Sequence, residues 1–305
     1  MRVLVLAGPT GSGKSRLAAE LFDPRKFVII NIDSQQVYRD LPIGTSQPTP
    51  AQLAAIEHRL YGFAECGTRL SAGQFSIKVD AEIADVHDKG RMPVLVGGAG
   101  LYIRSVISGL DDLPEADAGL RERLAGEIRE KGTEFLHKRL EKLDPAYAAV
   151  ISRNDKVRIV RALEIYELSG LKLGELRNRE KKPRYDAQII GLEMDRESMY
   201  DRINKRTVDM LGAGWIDETK AVIAKGSRDW LYGLPAIGYR HIIDFLEGKH
   251  PRERMIELIQ TDTRHYAKRQ MTWFRKMKAV EWAAVDGEKI PEKLRELVYS
   301  TNPIS

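Results

Sequence analysis

The chain has 305 residues, 43% of them hydrophobic and 30% charged, and carries a formal net charge of +5. That balance describes a globular protein and excludes a disordered one, and no stretch approaches the roughly 18 apolar residues of a membrane span. Cys66 is the only cysteine, so neither an internal disulfide nor a cysteine-based zinc finger can form.

Residues 2–7 read as a buried strand and 14–22 as a helix. The first apolar run is short and enters a glycine-rich loop, unlike a secretory signal, so a cytoplasmic location is expected. FVIINI at 27–32, PVLVG at 93–97 and AQIIGL at 187–192 read as three more strands. Continuous apolar runs separated by helical patterns predict βαβ units and a parallel sheet. Between the third and fourth runs the pattern turns helical over 120–131, 134–143 and 157–168, followed by a basic loop, RNREKKPR, at 177–184. The predicted fold is therefore α/β: a phosphate-loop parallel-sheet core from 1–111 and 187–305, with a helical insertion over 112–186. After about residue 197 the chain is expected to be mostly helical, with a basic-aromatic face over 257–278.

After the first strand stand Gly8, Pro9, Thr10, Gly11, Ser12, Gly13, Lys14 and Ser15. They fit the template G-x-x-x-x-G-K-[ST], which normally announces ATP or GTP. Such a loop aims successive N–H groups into one concavity at a helix N-terminus. Lys14 adds positive charge, and the Ser15 hydroxyl can ligate Mg²⁺. The loop reports a polyphosphate without naming a nucleoside. Asp33 ends the second apolar run, where it can be a metal ligand, a turn former or a proton acceptor.

Several segments then share one resemblance. GPTGSGKS, DSQQVYRDLPIGTSQPT from Asp33, VGGAGLYIRSVISGL from Val96, RIVRALEIYELSG at 158–170, DRINKRTVDML from Asp201, AIGYRH at 236–241 and KRQMTWFRK at 268–276 resemble, in order, the tRNA dimethylallyltransferases, also called tRNA isopentenyltransferases. The resemblance implies a prenyltransferase. It would move a dimethylallyl group from its pyrophosphate to the N6 amine of the adenosine 3′-adjacent to the anticodon. It implies Asp33 as general base, with Lys14, Arg206 and Arg202 on the pyrophosphate held by the loop. It places tRNA against Asp33, Ser34, Gln35, Gln36, Ala99, Arg121, Arg158, Arg161, Gly238, Tyr239 and Arg240. The list continues with Lys268, Arg269, Gln270, Thr272, Trp273 and Arg275. The family usually has G-G-T where this chain has Gly97-Gly98-Ala99, so that hydroxyl is missing and Ser34 or Thr45 is its candidate substitute. A second departure is VRIVR at 157–161, where many relatives carry Q-R.

Basic residues interleaved with aromatics suit an RNA backbone and loop, whereas an ordinary amphipathic helix buries its aromatics and solvates its charges. The expected partners are the tRNA anticodon stem-loop and dimethylallyl pyrophosphate, with Mg²⁺ as cofactor, no membrane and a monomeric protein. The rivals are an adenylate dimethylallyltransferase acting on free AMP, a phosphate-loop kinase or ATPase, and a non-catalytic RNA-binding relative.

Overall fold

The structure is a computed structural model and describes residues 1–299, apart from 69, 112, 178–181, 278 and 288. Arg179 and Lys181 of the predicted basic loop lie outside the described residues. The chain forms two compact units, Met1–Gly109 with Pro183–Ser305 and Leu110–Lys182.

The first unit is built on β1 (Arg2–Ala7), β2 (Phe27–Asn31), β3 (His58–Arg59), β4 (Met92–Gly97), β5 (Asp186–Glu193) and β6 (Val280–Ala284). They form one sheet in the order β3-β2-β4-β1-β5-β6, and every pair is parallel. The helices of this unit are α1 (Lys14–Leu21), α2 (Pro50–Ala55), α3 (Ala72–Asp88) and α4 (Gly100–Ser108). After the second unit come α10 (Arg196–Gly212), α11 (Trp215–Ala224), α12 (Arg228–Tyr232), α13 (Tyr239–Leu246), α14 (Arg252–Phe274) and α15 (Glu292–Tyr299). The second unit holds α5 (Ala118–Lys131), α6 (Thr133–Leu143), α7 (Pro145–Ala148), α8 (Lys156–Ser169) and α9 (Leu173–Arg177).

A parallel sheet must be covered on both faces, and β1 shows why its run is apolar throughout. Val3, Val5 and Ala7 join Phe75, Val79 and Ile83 of α3 and Ile103 of α4 in one core. Leu4 and Leu6 point the other way, to Leu17 and Leu21 of α1 and Leu294 and Val298 of α15. The chain leaves β1 towards β2 on one side and returns from β4 to β5 on the other. The crevice between the carboxyl ends of β1 and β4 is thus the point where the winding reverses, where ligands of open α/β sheets bind.

The four long strands fall within a residue or two of their apolar runs. Two strands depart from the expectation. β3 is two residues long and partly exposed, too short for any periodicity. β6 runs through a region expected to be helical; it pairs with β5 at the sheet edge and buries only Ala283. Val280 and Trp282 are partly buried against the core on its other face, an alternation too short to stand out in the sequence.

The second unit packs Leu124, Leu136, Leu140, Ile159 and Leu163 into its own core. Glu164 is fully buried there. Its carboxylate accepts from Arg121 Nε at 2.8 Å, Arg161 Nη1 at 2.6 Å and the Asp117 N–H at 2.8 Å. Burial alone would raise its pKa, but these donors hold it below the usual carboxylate range.

Gly97 ends β4 where no Cβ fits. An added Cβ would stand 2.6 Å from Ile32 Cγ2 and 2.7 Å from the Ile32 carbonyl oxygen, and a main-chain carbonyl one residue past β2, whose N–H donates to Val96 O, cannot turn away. Gly97→Ala is expected to lose about 1–3 kcal/mol of stability, read as a lower urea midpoint with unchanged slope. An unchanged midpoint would contradict this packing.

Candidate active site

One cavity of about 1060 Å³ opens at the carboxyl ends of β1, β2 and β4. Its rim begins with the glycine loop. Gly11 and Gly13 have φ of 84° and 85°, a backbone that side chains resist. Gly13 caps α1, placing its free N–H groups beside the cavity. Lys14 turns its ammonium back onto the loop, donating to Gly8 O at 2.9 Å and Pro9 O at 2.8 Å. Ser15 lines the cavity, while the Ser12 hydroxyl is buried without a partner.

The loop is tied to the far side of the crevice by α14. Gln270 accepts from the Thr10 N–H at 2.8 Å and donates to Gly98 O at 2.8 Å. This close approach explains the glycines after β4. A Cβ on Gly98 would lie 2.4 Å from Gln270 Nε2, and one on Gly100 would lie 2.1 Å from the Trp273 ring.

Asp33 follows β2 by two residues and is set by a buried asparagine. Asn31 Oδ1 accepts the Asp33 N–H at 2.8 Å, and Asn31 Nδ2 donates to Asp33 O at 3.0 Å and Leu60 O at 2.9 Å. Asp33 Oδ1 accepts the Gln35 N–H at 2.9 Å. Burial raises the Asp33 pKa; the Gln35 N–H, Lys14 and Arg206 oppose it without cancelling it. The same burial pushes Lys14 down to about 8, Asp33 working against the shift and Arg206 with it. Arg206, on α10, donates to Thr10 Oγ1 at 3.1 Å and to Ser46 Oγ. Burial lowers its pKa too, with Asp33 opposing. Two cations and one carboxylate therefore interact electrostatically at one cavity.

A matching family model, IPP transferase, covers residues 36–277. A tRNA dimethylallyltransferase of Geobacter sulfurreducens is 38% identical over 92% of this chain and 91% of its own length. One of Symbiobacterium thermophilum is 39% identical over 96% and 92%. Among solved structures, the tRNA isopentenylpyrophosphate transferase of Bacillus halodurans superposes with a TM-score of 0.69. It is 35% identical, over 93% of this chain and 91% of that one. A eukaryotic dimethylallyltransferase described as acting on tRNA gives 0.77 at 28% identity, over 93% and 73%. The chain belongs to the IPP transferase family.

The residues that the resemblance to the IPP transferases singled out lie in different surroundings. Thr10, Gly11, Gly13, Lys14, Ser15, Asp33, Ser34, Gln35, Gln36, Ala99, Arg206, Arg269, Gln270 and Trp273 meet at the cavity. Gly8 and Pro9 are buried beneath it, and Arg202 approaches Gly13 while donating to Gly287 O. Lys268, Thr272 and Arg275 share the exposed side of α14 and its cap. Arg240 is exposed, with its guanidinium 5.1 Å from the Tyr232 ring centroid. Arg121, Arg158 and Arg161 belong to the second unit. Arg121 and Arg161 hold Glu164, and Arg158 pairs with Asp155 at 3.5 Å.

Tyr239 requires a correction: it is fully buried, and its hydroxyl donates to Glu218 at 2.7 Å. Its ring is core and offers RNA no surface. Gly238 is likewise buried, because a Cβ there would meet the Trp215 ring at 2.1 Å. Gln36 spends its amide N–H groups on Thr45 O and Ser46 O. Thr45 lines the same cavity as Ala99, but its side chain is buried and its hydroxyl donates to Leu41 O. Ser34 lines the cavity, accepts from Gln35 Nε2 at 2.9 Å and hydrogen-bonds the Tyr102 hydroxyl, which lowers the pKa of that phenol against the effect of burial.

Sequence reasoning missed Asn31, Ser46 and Glu218. Asn31 left a legible trace, an amide inside a buried apolar run. Ser46 and Glu218 left none, because their partners are about 160 and 175 residues away.

The raised Asp33 pKa has a direction that activity can report. Only the ionised carboxylate can accept a proton, so if turnover uses Asp33 in that way kcat/KM should fall as pH drops through a value above the ordinary aspartate value of about 3.9. A profile flat down to pH ~4 would contradict a buried base.

Proposed function

We propose that this protein transfers a dimethylallyl group from dimethylallyl pyrophosphate to the N6 amine of the adenosine 3′-adjacent to the anticodon in tRNA. The observation that carries the reading is the shared cavity of glycine loop, Lys14, Arg206 and Asp33. The family supplies the reaction class, and the named activity of its members supplies the substrates.

The chemistry then divides among residues of this chain. The adenosine amine attacks C1 of the dimethylallyl group. The bond between C1 and the bridging oxygen breaks, and its electron pair leaves with the diphosphate. Asp33 takes the proton that the amine loses as the new bond forms. The loop N–H groups, Lys14 and Arg206 stabilise the charge developing on the leaving group, and Arg202 stands near enough to add to it.

Mg²⁺ suits the same place. Among the described residues no group of three or more His, Cys, Asp and Glu could form a protein cage. Mg²⁺ typically takes few protein ligands and completes its shell with phosphate oxygens and water. Ser15 would hold it, and the ion would neutralise charge on the diphosphate.

On the RNA side, Lys268, Thr272 and Arg275 would meet the tRNA backbone, with Arg240 and Arg269 adding charge. Ser34 and Gln35 would meet the adenine beside Asp33; the Gln35 Oε1 is buried and unpartnered. Trp273, half-buried against Gly100, would border the same base. An anticodon loop suits such a site because its bases already splay. Arg158, in the helical unit, would also meet tRNA. A monomer acting in the cytoplasm completes the reading; among the described residues no helix is long and apolar enough to cross a membrane.

The decisive experiment incubates the protein with dimethylallyl pyrophosphate and either an anticodon stem-loop or AMP, then analyses the nucleosides by mass. Prenylated adenosine is expected from the stem-loop alone. Product from AMP alone would move the reading to the free-nucleotide enzymes.

Asp33→Ala should lower kcat on the order of 10²-fold while tRNA affinity is kept. Wild-type turnover in that variant would remove the base assignment. Lys268→Ala combined with Arg275→Ala should weaken tRNA binding and flatten its dependence on salt, with donor affinity unchanged. An unaltered salt slope would return that face of α14 to ordinary solvated charge.

A further inference from the structure

Glu218 lies in the first turn of α11, outside the cavity lining, yet it ends a chain of contacts that reaches the phosphate loop. Its Oε2 accepts the Ile43 N–H at 2.6 Å, and its Oε1 accepts the Gly44 N–H at 2.9 Å and the Tyr239 hydroxyl at 2.7 Å. A carboxylate with two backbone donors and a phenol fixes the stretch of chain that supplies them. The fit is close: a Cβ on Gly44 would stand 2.0 Å from Trp215 Nε1 and 2.3 Å from the Tyr239 oxygen.

The same loop lines the cavity, Ile43 and Gly44 included, and carries Ser46 two residues further on. Ser46, at φ 55°, accepts from Arg206, while its carbonyl and that of Thr45 accept from Gln36 at 2.8 and 3.1 Å. The other end of the Arg206 guanidinium donates to Thr10 of the phosphate loop. Arg206 is therefore aimed by two hydroxyls, one on the phosphate loop and one on a loop that Glu218 holds.

We propose that Glu218 is a positioning residue for Arg206: it fixes the backbone at Ile43 and Gly44, which places Ser46, which in turn sets the guanidinium at the mouth of the phosphate loop. The inference rests on the reading of Arg206 as a diphosphate ligand. The relevant contact is indirect, so the signature is coupling: the effect of Glu218 should vanish when Arg206 is absent.

The test measures binding of dimethylallyl S-thiolodiphosphate with Mg²⁺ to Glu218→Gln and Ser46→Ala, each alone and combined with Arg206→Ala, together with tRNA affinity. Gln at 218 turns an amide N–H₂ towards a backbone N–H, and Ala at 46 cuts the last link without touching α11. Each single variant should weaken the analogue by about tenfold, with tRNA affinity within about twofold. Added to Arg206→Ala, neither should cost more than about a further twofold. The same tenfold loss with and without Arg206, or no loss in the single variants, would overturn the proposal. If Glu218→Gln does not fold, the Ser46→Ala pair decides by the same criterion. Unchanged analogue binding in Arg206→Ala alone would remove the parent reading of Arg206, an outcome distinct from additivity.

Discussion

The carboxamide of Gln270 joins the phosphate loop to the loop after β4, and much of the site's shape follows from that crossing. Thr10 and Gly98 stand at the ends of neighbouring strands, and one side chain from a distant helix satisfies the N–H of the first and the carbonyl of the second. Buried backbone groups of this kind must be paired. The pairing draws α14 so close that Gly98 and Gly100 tolerate no side chain. The same helix then presents Trp273 and Arg269 to the cavity and turns Lys268, Thr272 and Arg275 outward. A binding cavity and an exposed basic face are thus two sides of one helix, fixed in register by one residue.

Burial shapes the charges in that cavity. Asp33 is pushed towards its neutral form, and Lys14 and Arg206 towards theirs, while each is partly restored by its opposite. A carboxylate that ionises with some difficulty is a stronger proton acceptor once ionised, and on the proposed reading that suits a weakly nucleophilic aromatic amine. On the proposed reading, the two cations serve the departing diphosphate and temper the carboxylate at the same time. Removing either would therefore disturb both halves of the reaction.

Much of this was legible in the residues. β1, β2, β4 and β5 announce themselves as unbroken apolar runs because both faces of a parallel sheet are covered. The glycine octet matches its template as a local backbone requirement, and Gly11 and Gly13 take the positive φ that it calls for. β3 carries no period in two residues, and in β6 the alternation of Val280 and Trp282 ends after three positions in a pair of alanines. Tyr239 illustrates the opposite failure. A motif shared with tRNA-binding proteins suggested a surface contact, but the ring is core, and its hydroxyl serves Glu218. Linear pattern shows which residues travel together; it does not show which side of a helix faces solvent. The links through Gln270, Ser46 and Glu218 join residues more than 150 positions apart, and such pairings have no local signature at all.

On the proposed reading, the glycine loop holds the diphosphate of an isoprenoid donor rather than a nucleoside triphosphate. Calorimetric titration with dimethylallyl S-thiolodiphosphate and with ATP, each with Mg²⁺, addresses it directly. The account predicts saturable binding of the thiolodiphosphate that Lys14→Ala abolishes, and no hydrolysis of ATP. Saturable ATP binding with turnover, and no heat from the thiolodiphosphate, would contradict it.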